Sequence, residues 1–295
     1  MGPRYWLGHE DDVVTSETEE NDDARREVTV VIPVWGPYAG AHLAEAIASL
    51  LAQDPRPCVL VVDNASDVPV VVTGEVEMVR TPRRLTVGEA RNFGLGSTTT
   101  AWVMLWDADD IMLPGTMADL WELVRSPGVV ASATGIVDMQ SGERDHWPRP
   151  WTRHLARVPT LFAVIQAISS LFPMSGALMR RDVALAGPGF PNADTGDDWV
   201  AGFSVAVRGR VVISERSGRA YRRHPDSISA RWRTFPDIVR HARLVRHRVR
   251  TDPAVPRVVR WSLPTIAVAQ WFVLLVLRTA SRRLPRRRAM TRSDA

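Results

Sequence analysis

The chain has no lysine, so all 37 of its basic residues other than histidine are arginine. That absence carries no function by itself. There is one cysteine, Cys58, which excludes an intrachain disulfide and suits a reducing compartment. A GxGxxG turn and the P-loop pattern are both missing, which removes two common devices for cradling nucleotides. No internal repeat is visible. The opening MGPRYWLGHEDD lacks an apolar run and turns acidic at once, so no cleaved secretory leader is expected.

What is present is unevenly spread. Residues 1–27 hold three Arg against nine Asp/Glu, a net −6, whereas residues 231–295 hold sixteen Arg against three Asp, a net +13. The body between them, 28–230, is at −3 within a whole-chain +4. The basic character therefore belongs to the tail, and the body gives no reason to expect a nucleic-acid partner. The acidic run to Glu27 has almost nothing to bury and reads as an arm outside the fold. At 295 residues the chain is long enough for one large domain or two small ones.

VTVVIPV (28–34) is a continuous β-branched run, as in a strand buried on both faces. A helix is predicted over 41–53, where Leu43, Ile47, Leu50 and Leu51 fall at helical spacing. CVLVVDN (58–64), Val76–Thr81, AWVMLW (101–106) and VVASATGIV (129–137) read as further strands, with helices over 87–97 and 114–126 between them. Strands alternating with helices imply βαβ units, hence an α/β fold with a mainly parallel sheet. Beyond residue 140 the pattern predicts an apolar helix over 152–172, a strand and turn over 176–187, and a helix opening on an acidic cluster within 188–209. Strand, loop and strand follow over 210–229.

Two of the strands end in carboxylates: Asp63 after the second, and Asp107, Asp109 and Asp110 after the fourth. In open α/β sheets ligands bind beyond the carboxyl ends of strands, so both endings should face one crevice. Packed carboxylates repel, so the group is either a solvated strand end or a place where something positive binds. If the strand stays regular, Asp107 and Asp109 point the same way and offer two oxygen ligands to a hard dication. Asp197-Asp198 and His224 fall where the same crevice could collect them.

In order and spacing, VTVVIPVWGPYAGAHLAEAIASLLAQ, VLVVDNASD, GEARNFGLGSTTTAWVMLWDADD, MSGALMRRDVALAGPGF, GDDW and YRRHPDSIS resemble a family 2 glycosyltransferase over roughly residues 28–229. The resemblance implies a GT-A fold: a Rossmann-like nucleotide-binding half with a mixed, mainly parallel sheet, here followed by a basic helical C-terminal extension. With the charge pattern this gives three segments, an acidic arm (1–27), the catalytic domain that the resemblance implies (28–230) and the basic extension (231–295). It implies an inverting enzyme that uses a UDP-, GDP- or dTDP-sugar with Mn2+ or Mg2+, and a glycan or lipid-linked acceptor. Carried over by position, Pro33 and Val34 would line the nucleotide pocket, Asp63 would bind the base and Arg91 would lie near the donor. Asp107 and Asp109 form the DxD-type motif, and His224 joins them at the metal. Asp198 matches the catalytic base, with Asp197 where Glu is common. Asn64-Ala65 depart from the Asp-Gly usual after the second strand.

Two other readings compete. A haloacid-dehalogenase-like phosphotransferase also has a strand ending Asp-x-Asp, but after its first strand rather than its fourth. A non-catalytic, membrane-tethered binding module would be expected to lose Asp109 or Asp198, and both are present. An EF-hand loop fails because Ile111 stands at the next ligand position. Arg222 and Arg223 are either solvated or hold the diphosphate. The run LFAVIQAISSLF within 152–172 reads as core. WSLPTIAVAQWFVLLVL (261–277) has no charge and must be buried in lipid, in a partner or against the domain. A span would export seven arginines against the positive-inside rule, so a re-entrant or interfacial helix is expected. The membrane surface would be met through 240–292 at its cytoplasmic face, with oligomeric state left open.

Overall fold

A computed structural model of the protein describes residues 27–72, 74–145, 147–223 and 235–283, with side chains up to 276 in the last segment. The acidic arm, His224 and the end of the arginine-rich tail lie outside the described residues. Eight strands form one sheet: β1 (Val28–Val34), β2 (Cys58–Asp63), β3 (Glu77–Arg80), β4 (Trp102–Leu105), β5 (Ile111–Met112), β6 (Val129–Asp138), β7 (Leu178–Arg180) and β8 (Arg210–Tyr221). Their order is β3-β2-β1-β4-β7-β6-β8-β5. The first four run parallel, β7 is antiparallel to both β4 and β6, β8 is parallel to β6, and β5 is antiparallel to β8. The expected mixed, mainly parallel sheet is present.

Side-chain alternation builds a core on each face. Val30, Ile32 and Val34 pack with Val59, Val61, Met104 and Trp106 under α1 (Ala41–Leu51) and α3 (Thr116–Val124). Val31, Leu60, Val62, Val103 and Leu105 pack on the other face with α2 (Val87–Gly96), α5 (Pro159–Ile168) and α7 (Asp197–Ala206). The LFAVIQAISSLF run belongs to this second core, through Phe162, Ala163, Ala167, Leu171 and Phe172. Also within it are residues of α8 (Phe235–Thr251), α9 (Arg257–Trp261) and α10 (Leu263–Arg283): Val245, Val249, Val259 and Ile266 are all fully buried. The described part of the C-terminal extension therefore shares its core with the sheet rather than building one of its own.

Several elements differ from expectation. The single apolar helix of 152–172 is two, α4 (Pro150–Leu155) and α5, because Pro159 cannot continue a helix and starts the second instead. What reads as a turn after β7 is a short helix, α6 (Arg181–Ala186). Residues 210–221 form one long strand, not strand, loop and strand. The polar SERSG stretch, which looks like a loop, is absorbed where the β6–β8 register shifts between Ala133/Ile213 and Gly135/Ser217. Helix α3 begins at Thr116, two residues past Pro114, with Gly115 in the left-handed region at φ 75° as its N-cap.

Candidate active site

The chain visits β1, β2 and β3 outward in one direction and then returns to place β4 on the other side of β1. That reversal opens a crevice at the carboxyl ends of β1 and β4, where Trp106 N–H still donates to Val31 O at 2.9 Å. Asp107 follows immediately. The strand does not stay regular there: Asp110 N–H donates back to Asp107 O at 3.3 Å, so Asp107–Asp110 is a turn. The expectation that Asp107 and Asp109 share one face of a strand is thereby corrected. Asp107 and Asp109 are half-buried, whereas Asp110 is fully buried.

Two buried arginines answer the carboxylates. Arg91, on α2, donates from Nη1 to Asp197 Oδ2 at 2.6 Å and Asp198 Oδ1 at 2.5 Å, and from Nη2 to Asp107 Oδ1 at 3.0 Å. It thus joins the end of β4 to the start of α7. The start of α2 is fixed by a reciprocal cap, in which Glu89 N–H donates to Thr86 Oγ1 and Thr86 N–H donates to Glu89 Oε2. Gly94 lets the helix lie close on the sheet, since a Cβ there would sit 2.4 Å from Val31 Cγ1. Arg219, on β8, donates from Nε to Asp110 Oδ2 and from Nη2 to Asp107 Oδ2, both at 2.5 Å, and from Nη1 to Ser175 O at 2.9 Å. Arg222 N–H completes Asp110 at Oδ1, 2.9 Å away.

The protonation tendencies follow from burial against these pairs. Burial pushes Asp110 up to about 7 and Asp197 up to about 6, despite Arg219 and Arg91 respectively. Burial also penalises the Asp107 anion, but Arg219 and Arg91 together hold its carboxyl below the usual range. Both guanidiniums are held more firmly in the charged form, because the surrounding carboxylates outweigh the burial cost.

On the other side of β1, a cleft of about 320 Å³ is lined by Trp35, Gly36, Ala65, Ser66, Asp67 and Arg84, which follow β1, β2 and β3. The Arg84 guanidinium lies 3.8 Å over the Trp35 ring. Ala65 sits at φ 48°, a left-handed conformation that glycine reaches more cheaply. Asp63 is completely buried behind this cleft. Its Oδ1 accepts from Ser66 N–H at 2.9 Å and its Oδ2 from Val70 N–H at 3.3 Å and from Arg80 Nη1. Val34 also points away from the cleft, being fully buried in the α1-side core, and Pro33 is half-buried. Trp35, the next residue, lines the cleft.

The sequence-predicted residues Arg91, Asp107 and Asp198 are brought into direct contact, with Asp109 beside them and Asp63 behind the neighbouring cleft. His224 lies outside the described residues. Among those described, no three His, Cys, Asp or Glu side chains are grouped to share a metal ion. Arg222 and Arg223 are both engaged, Arg222 with Glu45 at 2.5 Å and Arg223 with Asp138 and Asp145 at 2.5 and 2.9 Å. The sequence reading missed Arg219 and the Trp35–Arg84 pair, and gave Asp110 no role beyond its place in the acidic strand ending. A signal existed for Arg219: it precedes Tyr221 by two in a strand, which puts both on one face.

A mixed sheet whose reversal point carries an acidic turn, faced by a second acidic helix start, is the GT-A architecture. The profile described as "Glycosyl transferase family 2" matches residues 29–185, over half of the chain. The chain belongs to glycosyl transferase family 2, and it is a transferase enzyme. Among curated proteins none matches it. It is similar in fold to S. aureus TarS 1–349 in complex with UDP-GlcNAc, at 12% identity, 87% coverage of this chain, 91% of that chain and a TM-score of 0.54. A second similar structure is the Pyrobaculum calidifontis mannosyltransferase PcManGT in complex with GDP-Man and Mn2+, at 18% identity, 92% and 89% coverage and a TM-score of 0.55. Family membership sets aside the phosphotransferase reading of Asp107.

Proposed function

We propose that the enzyme moves a sugar from a nucleoside-diphosphate donor to an acceptor hydroxyl, with inversion at the anomeric carbon. The observation that carries this is the Arg91 guanidinium, which ties Asp107 at the end of β4 to Asp198 at the start of α7. The donor's diphosphate would sit at the first and the acceptor at the second. The similar structures were solved with UDP-GlcNAc and with GDP-Man, which favours a nucleotide sugar here too. The base would stack in the cleft of Trp35 and Arg84, with Asp63 shaping its floor by holding the 64–70 loop.

Asp198 is the proposed general base. Its side chain is 32% exposed, whereas Asp197 is 6% exposed and buried against Arg91. The acceptor O–H gives its proton to the Asp198 carboxylate as oxygen attacks the anomeric carbon from the face opposite the diphosphate. The bond to the diphosphate breaks, and the leaving group departs with its electron pair. Such a base is worth about 10²–10⁴-fold.

The donor set suits a divalent metal. Within this network two guanidiniums, Arg91 and Arg219, face Asp107, Asp110, Asp197 and Asp198, with Asp109 as a further charge near Asp110, so carboxylates outnumber cations where a diphosphate must enter, even with burial raising Asp110 and Asp197. Asp109, with the half-exposed Asp107 and His224, would hold Mn2+ or Mg2+, which offer hard coordination sites to diphosphate oxygens. Bound there, the ion would supply charge neutralisation of the leaving group. Nucleotide sugars are cytosolic, so the catalytic domain is placed in the cytoplasm. A glycan or lipid-linked acceptor of the cell envelope would be met at the inner face of the membrane.

The test is a donor panel of UDP-, GDP- and dTDP-sugars with Mn2+, read as thermal shift and donor hydrolysis, on the wild type and Asp198→Asn. The variant should keep donor binding and lose turnover by about 10²-fold or more. Near-normal turnover would remove Asp198 from its role, and full activity in chelator would remove the metal.

A further inference from the structure

Helix α10 is finished on one side only. Ile266, Gln270 and Leu274, four residues apart, face the domain and are buried. Gln270 Nε2 donates to Ala167 O on α5 at 2.7 Å, and its Oε1 accepts from Arg246 on α8, which fixes how the helix is rotated. On the outward side, Val268, Trp271, Phe272 and Leu275 fall at i, i+3, i+4 and i+7 and are exposed, with Trp271 at 64% and Phe272 at 63%. Val276 joins them, and on α9 just before, Val258 and Trp261 are exposed, Trp261 at 77%. A row of this kind is not left bare in water without a use.

Charge says what covers it. Residues 235–283 carry ten Arg against two Asp, and Arg240, Arg243, Arg250, Arg257 and Arg260 are exposed. One of the two aspartates, Asp252, is consumed by its buried pair with Arg208 at 2.8 Å. A second copy of this chain would bring like charge against like. An anionic bilayer satisfies both features, since tryptophan and phenylalanine settle at the acyl boundary while guanidiniums bind lipid phosphates. No described helix is long and apolar enough to cross a membrane, so α10 would lie along the surface.

We propose that the outward face of α10, with the exposed arginines of α8 and α9, docks the enzyme on an anionic phospholipid bilayer. This rests on the reading that puts the enzyme at the inner membrane face, and it names the surface that makes the contact. The test is cosedimentation of the full chain with vesicles of phosphatidylcholine alone and of phosphatidylcholine with about one-third phosphatidylglycerol. The wild type should sediment with the anionic vesicles, with a blue shift of its tryptophan emission, and should release at about 0.5 M salt. Trp271→Ser/Phe272→Ser should weaken binding at least about tenfold. Arg243→Glu/Arg257→Glu, which leaves the apolar row intact, should do the same even if the first variant proves less stable. Wild type that stays in the supernatant, equal binding to neutral vesicles, or variants that bind like wild type would overturn the proposal. So would a wild-type dimer that the first variant converts to monomer in sedimentation equilibrium, because a second copy would then own the face. Donor hydrolysis is followed alongside: variants that lose vesicles but hydrolyse donor normally separate docking from the transferase reading, and loss of hydrolysis alone bears only on the latter.

Discussion

At the scale of the residue, the site is an account of how five carboxylates are kept together. Arg91 holds three of them, and Arg219 holds Asp107 and Asp110 while also donating to the Ser175 carbonyl. Removing one member of a buried ion pair leaves the other uncompensated. Arg219→Met is therefore expected to lower unfolding free energy by about 3–5 kcal/mol, read by urea denaturation; a loss near zero would mean that Asp110 is neutral at that pH. Asp63 offers a pH-dependent case. Burial penalises its anion, but hydrogen bonds from Ser66 and Val70 and the Arg80 charge outweigh this, so its folded pKa is lowered. Its contribution is thus fully present above the unfolded value of about 3.9 and is lost as pH falls through the folded value. Asp63→Asn should be less stable than wild type by about 1–3 kcal/mol at neutral pH, with the gap closing below about pH 4. A gap that stays constant across that window would assign the loss to packing instead of charge.

At the scale of the element, α2 and α7 place the chemistry because glycines let them approach their neighbours. A Cβ at Gly94 would meet Val31 and Val62 side chains at 2.4 and 2.8 Å, both in the sheet. Gly94→Ala should push α2 outward, cost about 1–3 kcal/mol and displace Arg91, lowering both melting temperature and turnover. Gly96, in the same helix, has nothing within 4 Å of its Cβ position, so Gly96→Ala serves as the control and should be neutral or slightly stabilising. Gly196 precedes Asp197 and Asp198 at φ 67°, and a Cβ there would fall 2.2 Å from the His241 ring on α8. The start of α7 is therefore seated against the C-terminal extension.

At the scale of the whole molecule, that seating makes α8–α10 part of the catalytic body. Arg248 is buried on α8 and donates to Val200 O and Ser204 Oγ on α7 at 3.2 and 2.7 Å, and to Gly189 O at 2.6 Å. A chain ending at Thr251 would lose the Asp252 partner of Arg208 and uncover the core around Val255, Val259 and Ile266. It is expected to express poorly or melt well below the full chain, measured by soluble yield and thermal unfolding. A truncation of wild-type stability would show that α9 and α10 are appended after all. Such a truncation is also a poor probe of membrane docking, for which substitutions on the outward face of α10 are the cleaner tool.

The sequence by itself determined the parallel half of the sheet, because β-branched runs and helical spacing are local signals that survive in any context. It also determined the two acidic strand endings and the family, since those lie in short motifs of fixed order. Only the tertiary structure decided which cations answer Asp107 and Asp110. Arg219 reaches Asp110 across 109 residues of chain, and a strand arginine carries no local mark of its partner. The same holds for β8, whose polar middle reads as a loop until β6 is laid beside it and the register shift takes up the extra residues. It holds again for α10, apolar all round in sequence, where the domain covers Ile266, Gln270 and Leu274 and leaves Trp271 and Phe272 in water. Burial of a uniformly apolar helix is settled by what packs against it, and that is a property of the assembled fold alone.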